Sequence, residues 1–217
     1  MTVMTRRNIG LAAGMMTAVA LTAGAMISFS AEASPALPAG NAAPLFVDAA
    51  TASGETISLG DFEGKTVVLE WTNHDCPFVK KHYAEPVKNM QTLQADAGAN
   101  DVVWVQVISS AEGKQGHLDG AGAIAKNEER GASASYTILD PSGAIGRAYD
   151  AKTTPHMFVI KGDGNLAYSG AIDSIKSARV GDIAKAENYV SAALTAVAAG
   201  TMPEVTEAKP YGCSVKY

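Results

Sequence analysis

Apolar runs of strand length recur along the chain, separated by polar segments that read as helices and turns. "TVVLEW" (66–71) and "VVWVQVI" (102–108) are almost continuously apolar, the pattern of strands covered on both faces. "YTIL" (136–139) predicts a short strand. "HMFVI" (156–160) and "LAYSGAI" (166–172) flank "KGDGN", whose Asp163-Gly164 step predicts a hairpin. "ETISL" (55–59) alternates and predicts a further strand, with "GDFEGK" as the turn after it. Residues 77–97 predict a helix. Pro77 suits its first position and Pro86 breaks or kinks it near Glu85. A glycine-weakened helix is expected over 118–131, a short one in "AIGRAY" (144–149) and a closing one over 186–200, ended by Gly200. Early strand–helix alternation implies parallel strands joined by crossover helices, and the hairpin adds antiparallel ones. The expected fold is one α/β domain with a mixed central sheet.

The beginning of the chain follows a different pattern. Arg6 and Arg7 precede a stretch from Ile9 to Phe29 without charge, and small residues stand at Ala31 and Ala33. That order reads as a signal peptide over residues 1–33, cut near Ala33 and directing export to the periplasm. "TRRNIG" matches the twin-arginine pattern in part, which leaves both twin-arginine and Sec export open. A retained anchor is the alternative, since the apolar stretch is about long enough to span a bilayer. Pro, Ala and Gly make 34–44 read as a linker to a domain over 45–200. The polar tail 201–217 is expected to be irregular and to fray. The 217 residues carry a formal charge of −5 without a basic cluster, which argues against nucleic acid or an anionic membrane as partner.

Candidate chemistry centres on the two cysteines. Cys76 follows the polar bend "TNHD" and precedes Pro77, so it stands at a strand-to-helix corner. There the unpaired N–H groups and positive end of a helix favour a thiolate, and His74, Lys80, Lys81 and His82 add positive potential. An accessible, nucleophilic Cys76 is therefore expected, against the alternative of a buried inert thiol. Glu70, inside an apolar strand, is expected to have a raised pKa and to be able to pass a proton.

"VVLEWTNHDCPFVKKH" resembles the active-site corner of the thioredoxin superfamily, and "KTTPHMFVI" resembles its second hallmark, a Thr-Pro step opening a hairpin. The likeness covers about residues 42–200 and is closest to the peroxiredoxin-like branch of exported redoxins, with "CPF" at the corner, "GAIDS" after the last strand and a "GC-x-[IV]-K" ending. It implies a thioredoxin-like three-layer fold and a thiol-dependent oxidoreductase, with Cys76 as nucleophile and Glu70 as the buried acid. It also implies a cis Pro155, with Thr154 and Pro155 forming the substrate site and the backbone before the proline pairing with a substrate chain. Pro77 stiffens the corner. Asn73 stands where peroxiredoxins place a threonine, and is expected to donate a hydrogen bond to substrate. The sequence departs from both patterns: Val79 occupies the second position of Cys-x-x-Cys, Leu69 replaces a proline, and Thr153 and Thr154 stand where an arginine is brought in.

Cys213, in "KPYGCSVKY", has three readings, one of them an intermolecular or separate free thiol. As a resolving cysteine it would attack the oxidised Cys76. As a permanent staple it would make the chain a non-catalytic binding module. The expected partners are a peroxide or a protein thiol or disulfide, and a thiol reductant. Metal binding by Cys76, His74 and His156, with Cys213 as a further ligand, would suit copper or zinc, but the resemblance to copper carriers lacks their second cysteine. No metal and no cofactor is expected. The chain has no phosphate-cradling glycine loop, no Gly-x-Ser-x-Gly and no paired zinc spacing.

Overall fold

Hydrogen bonding between the apolar runs builds the sheet at the centre of the computed structural model, which describes residues 37–217. The signal-peptide reading of residues 1–33 lies outside the described residues. In chain order the elements are β1 (Ala49–Ala50), β2 (Thr56–Ile57), β3 (Val67–Trp71), α1 (Pro77–Tyr83), α2 (Asn89–Ala99), β4 (Val103–Ile108), α3 (Gly120–Glu129) and β5 (Tyr136–Leu139). There follow α4 (Ala144–Ala148), β6 (Thr153–Thr154), β7 (His156–Ile160), β8 (Leu166–Gly170), α5 (Tyr189–Ala198) and β9 (Cys213–Ser214). The five-stranded sheet runs β5-β4-β3-β7-β8. β3, β4 and β5 are parallel, while β7 and β8 run antiparallel to their neighbours. This is the mixed α/β fold that the run pattern implies.

Two apolar layers cover the sheet, and alternation along each strand decides which residue enters which layer. Val67, Leu69 and Trp71 of β3 join Val103, Val105, Val107, Phe158 and Ile160, under Phe46, Ile57, Phe62 and Tyr149. Val68 points the other way with Trp104, Met157 and Val159, under α1, α2 and α5. Cys76 lies in this second layer, and Glu70 shares the face with Val68 by the same period of two.

Several local expectations are refined. The helix over 77–97 is two helices, α1 and α2, parted at residues 84–88, where Pro86 lacks the N–H to continue the first. "ETISL" contributes only two residues of strand, and "GDFEGK" begins in a 3₁₀ turn over Leu59–Phe62. Within the segment read as a linker, residues 40–43 are docked on the hairpin: Gly40 N–H donates to Leu166 O at 2.7 Å and Ala42 bridges Asn165. The tail does not fray. Ser169 N–H donates to Thr206 O at 3.1 Å, Val215 N–H to Lys152 O at 3.1 Å, and Ala111 N–H to Lys216 O at 2.8 Å. Between these bonds β9 pairs antiparallel with β6, setting Cys213 opposite Thr154. Among the described residues, no helix is long and apolar enough to cross a membrane.

Candidate functional site

Cys76 is the residue before α1, with extended backbone (φ −69°, ψ 123°), and its carbonyl accepts the Val79 and Lys80 N–H groups at 2.9 Å. The polar bend feeding it is held by Asn73, whose Oδ1 accepts the Asp75 N–H at 2.9 Å while its amide donates to Gln115 O at 3.3 Å. Asn73 is buried, and both ends of its amide are engaged in holding the bend. These bonds give Asn73 a structural part in the bend, one amide N–H being engaged by Gln115 O. Pro77 is exposed at the first helical position, where its missing N–H costs nothing.

The expectation of an accessible Cys76 is corrected: its exposure is 0%. The Sγ–H donates to Thr154 O at 3.1 Å, and Sγ accepts the Cys213 N–H at 3.4 Å. The cover over the sulfur is thus partly the chain's own tail. The Thr154–Pro155 bond is cis, Pro155 is buried, and the Thr154 hydroxyl is a buried polar atom without a protein partner. Both cysteines are free thiols. The Cys213 thiol is pushed up to about 11, first by burial, then by its interaction with the neighbouring Cys76 sulfur.

Sequence reasoning placed positive charge around Cys76, and the structure moves most of it elsewhere. Lys81 is buried. Its Nζ lies 3.2 Å from Asp173 Oδ2 and 3.0 Å from Tyr211 Oη, and reaches Ile175 O at 3.5 Å. Tyr211 also donates to the other oxygen of Asp173. His82 is buried beside this group, 3.7 Å from Asp173, and burial, then Lys81, pushes it down to about 3. His74 is lowered too, chiefly by burial. Lys80 remains exposed. Asp173, Tyr211 and Gly212 were not singled out from sequence. The one signal for Asp173 is a carboxylate directly after an apolar strand, in "GAIDS".

Glu70 is fully buried, and its carboxylate accepts from Tyr83 Oη at 3.0 Å, Gln94 Nε2 at 3.0 Å and Trp104 Nε1 at 2.9 Å. These partners tie β3 to α1, α2 and β4. His156 is buried, accepts the Lys152 N–H at 3.3 Å, and stacks on Phe158 with ring centroids 4.5 Å apart. Burial pushes it down to about 3. Among the described residues, no group of three or more His, Cys, Asp or Glu is placed to hold a metal.

A thiol at the mouth of a helix, beside a Thr-Pro step at the head of a hairpin, defines a thioredoxin-fold protein with a thiol site. The chain matches the Redoxin family over residues 38–190 and belongs to that family, within the thioredoxin superfamily. Membership assigns it to the thiol oxidoreductases as a class. Among solved structures it is similar to an uncharacterized conserved protein from Geobacillus kaustophilus. The two share 25% identity over 83% of this chain and 93% of that one, with TM-score 0.69. A hypothetical protein from Sinorhizobium meliloti 1021 shares 22% identity over 82% and 94%, with TM-score 0.68. The thioredoxin domain of a thiol-disulfide oxidoreductase from Bacteroides vulgatus is more distant, at 17% identity over 69% and 97%, with TM-score 0.49. No curated protein matches the chain.

Proposed function

We propose that the chain is a peroxiredoxin-like thiol peroxidase in which Cys76 is the nucleophile and Cys213 resolves it. The observation that carries this reading is the seating of Cys213 against Cys76, with its N–H on the Cys76 sulfur at 3.4 Å. In the first step Cys76 attacks the outer oxygen of a hydroperoxide. The O–O bond breaks, an alcohol or water leaves, and Cys76 becomes a sulfenic acid. In the second, Cys213 attacks that sulfur, water leaves, and a Cys76–Cys213 disulfide forms. An external dithiol then restores both thiols and is itself oxidised to a disulfide.

A hydroperoxide is favoured over a protein disulfide by the tail. β9 occupies the pairing edge of Thr153–Thr154, where a substrate chain would otherwise lie. The Thr154–Pro155 step and Pro77 form the walls of the site. Glu70 is a scaffold carboxylate in this reading rather than a proton relay, because the hydrogen bonds it accepts come from Tyr83, Gln94 and Trp104. The run from Arg6 to Ala33 supports export to the periplasm as a signal peptide, with the domain following it.

Full burial of Cys76 favours one second reading, a binding module in which the same two cysteines form a permanent staple. Hydroperoxide consumption by the reduced protein tests the first. The rate is expected to disappear in Cys76→Ser and to stall after one turnover in Cys213→Ser. Equal rates in the wild type and Cys76→Ser would end the peroxidase reading. A disulfide that a mild thiol buffer cannot open would favour the staple.

A further inference from the structure

Tyr211 stands two residues before Cys213, and its hydroxyl completes a buried ion pair that belongs to the body of the domain. The side chains of Lys81 and Asp173 are 0% and 3% exposed. Lys81 Nζ has three oxygen partners, on Asp173, Ile175 and Tyr211, and the last comes from the tail. A buried ion pair is tolerated only when its remaining donors and acceptors are satisfied. If the tail lifts, Lys81 loses an acceptor and Asp173 loses a donor, so both must be rehydrated together. Docking is thereby made close to all-or-none. The ring adds an edge-on contact with Phe78 of α1, with centroids 5.8 Å apart. A phenylalanine at 211 would keep that contact while leaving the ion pair incomplete.

From this anchor to Cys213 the backbone has almost no freedom. Gly212 has φ +143°, and a Cβ there would lie 2.0 Å from Thr154 O. The chain passes Thr154 too closely for a side chain at 212, and the Cys213 N–H meets the Cys76 sulfur.

We infer that Tyr211, held by buried Lys81 and Asp173, is the positioning residue that sets Cys213 for its attack on oxidised Cys76. The inference rests on the resolving role proposed above. Tyr211 touches neither reacting sulfur and acts through where it holds the tail.

The test uses the reduced full chain mixed with hydrogen peroxide, with dimedone present to trap sulfenic acid. Mass spectrometry then reads the partition between the Cys76–Cys213 disulfide and the trapped Cys76 adduct. The wild type is expected to give mainly disulfide and Cys213→Ser only the adduct. Tyr211→Phe is expected to lose Cys76 thiol at least as fast as the wild type. Its disulfide should form about tenfold more slowly, as for the loss of one hydrogen bond to a charged group, and the adduct should accumulate. Asp173→Asn is expected to shift the partition the same way and serves if Tyr211→Phe folds poorly. A purely structural role would lower the melting temperature and leave the partition unchanged, and that result overturns the inference. A wild type that consumes peroxide at Cys76 but forms no Cys76–Cys213 bond would instead overturn the resolving role, and the positioning role with it.

Discussion

Replacing Gly212 by alanine separates the tail's position from the rest of the fold. Its φ of +143° lies in a region that only glycine adopts readily, and the added Cβ would meet Thr154 O at 2.0 Å. Backbone strain of this kind costs about 1–3 kcal/mol, and the neighbour at the clash is main chain, which cannot swing aside. The docked state should therefore weaken by about 2 kcal/mol, which raises the share of molecules with the tail lifted about 30-fold. In the docked state Cys76 has no exposure, so a bulky aromatic disulfide reagent reacts with it only when the tail is up. In a Cys213→Ser background, where Cys76 is the sole thiol, Gly212→Ala is expected to accelerate that reaction about 30-fold. The strands of the central sheet do not include residue 212, so the far-ultraviolet circular dichroism should hold. An unchanged rate would refute the argument that the tail is what covers the sulfur.

His82 and His156 predict an acid-sensitive fold. Both are pushed from 6.5 to about 3, so the native state holds them neutral while the unfolded chain takes up protons below 6.5. Their contribution is complete above pH 6.5 and is lost as pH falls toward 3, at about 1.4 kcal/mol per pH unit for each histidine. Urea midpoints should drop by the equivalent of about 3 kcal/mol between pH 6.5 and 5, and a flat profile there would contradict the burial argument. Lys81→Met leaves Asp173 buried without its ion-pair partner and is expected to cost about 3–5 kcal/mol in urea unfolding. Glu70→Gln removes one acceptor oxygen facing Tyr83, Gln94 and Trp104, for a loss of about 2 kcal/mol. If Glu70 is only a scaffold, the pH profile of Cys76 alkylation stays where it was, and a displaced profile would restore the proton-relay role.

What could be read from sequence was local. The continuous runs of β3 and β4, the break at Pro86 and the Asp163-Gly164 hairpin each rest on residues within a few positions of one another, and each is present. The corner at Cys76 was legible for the same reason. The residues that were missed act over distance. Lys81 meets Asp173 across 92 positions and Tyr211 across 130, and in a local reading Lys80 and Lys81 are alike, two solvated cations near a thiol. The structure separates them: one is exposed and the other sealed against a carboxylate. β6 and β9 are two residues each, too short to carry a period, and they exist because Gly212 lets two backbones touch. Composition alone did not show that residues 40–43 pair with the hairpin, since Pro, Ala and Gly are as suited to lying flat on a hairpin as to spanning a gap.

Burial of Cys76 and a catalytic role for it are reconciled by which atoms do the covering. A nucleophile sealed by strands of the sheet could be reached only by unfolding the core. Here the Cys76 sulfur is contacted by Thr154 and by Cys213, and Cys213 belongs to a segment held by backbone pairs, by Tyr211 on the Lys81–Asp173 pair and by Tyr217, whose hydroxyl donates to Ala151 O at 2.7 Å. Such bonds contribute about 1 kcal/mol each on balance, because water replaces them when they open. The stretch around Cys213 can therefore open while the sheet stays intact, and local openings below global unfolding are reached routinely. In the proposed peroxidase the docked tail would protect the thiol and hold Cys213 in place, and the lifted tail would admit the oxidant. On this proposal the Cys76 sulfur and the segment that covers it form one site, with the balance between the tail's two positions set at Tyr211 and Gly212.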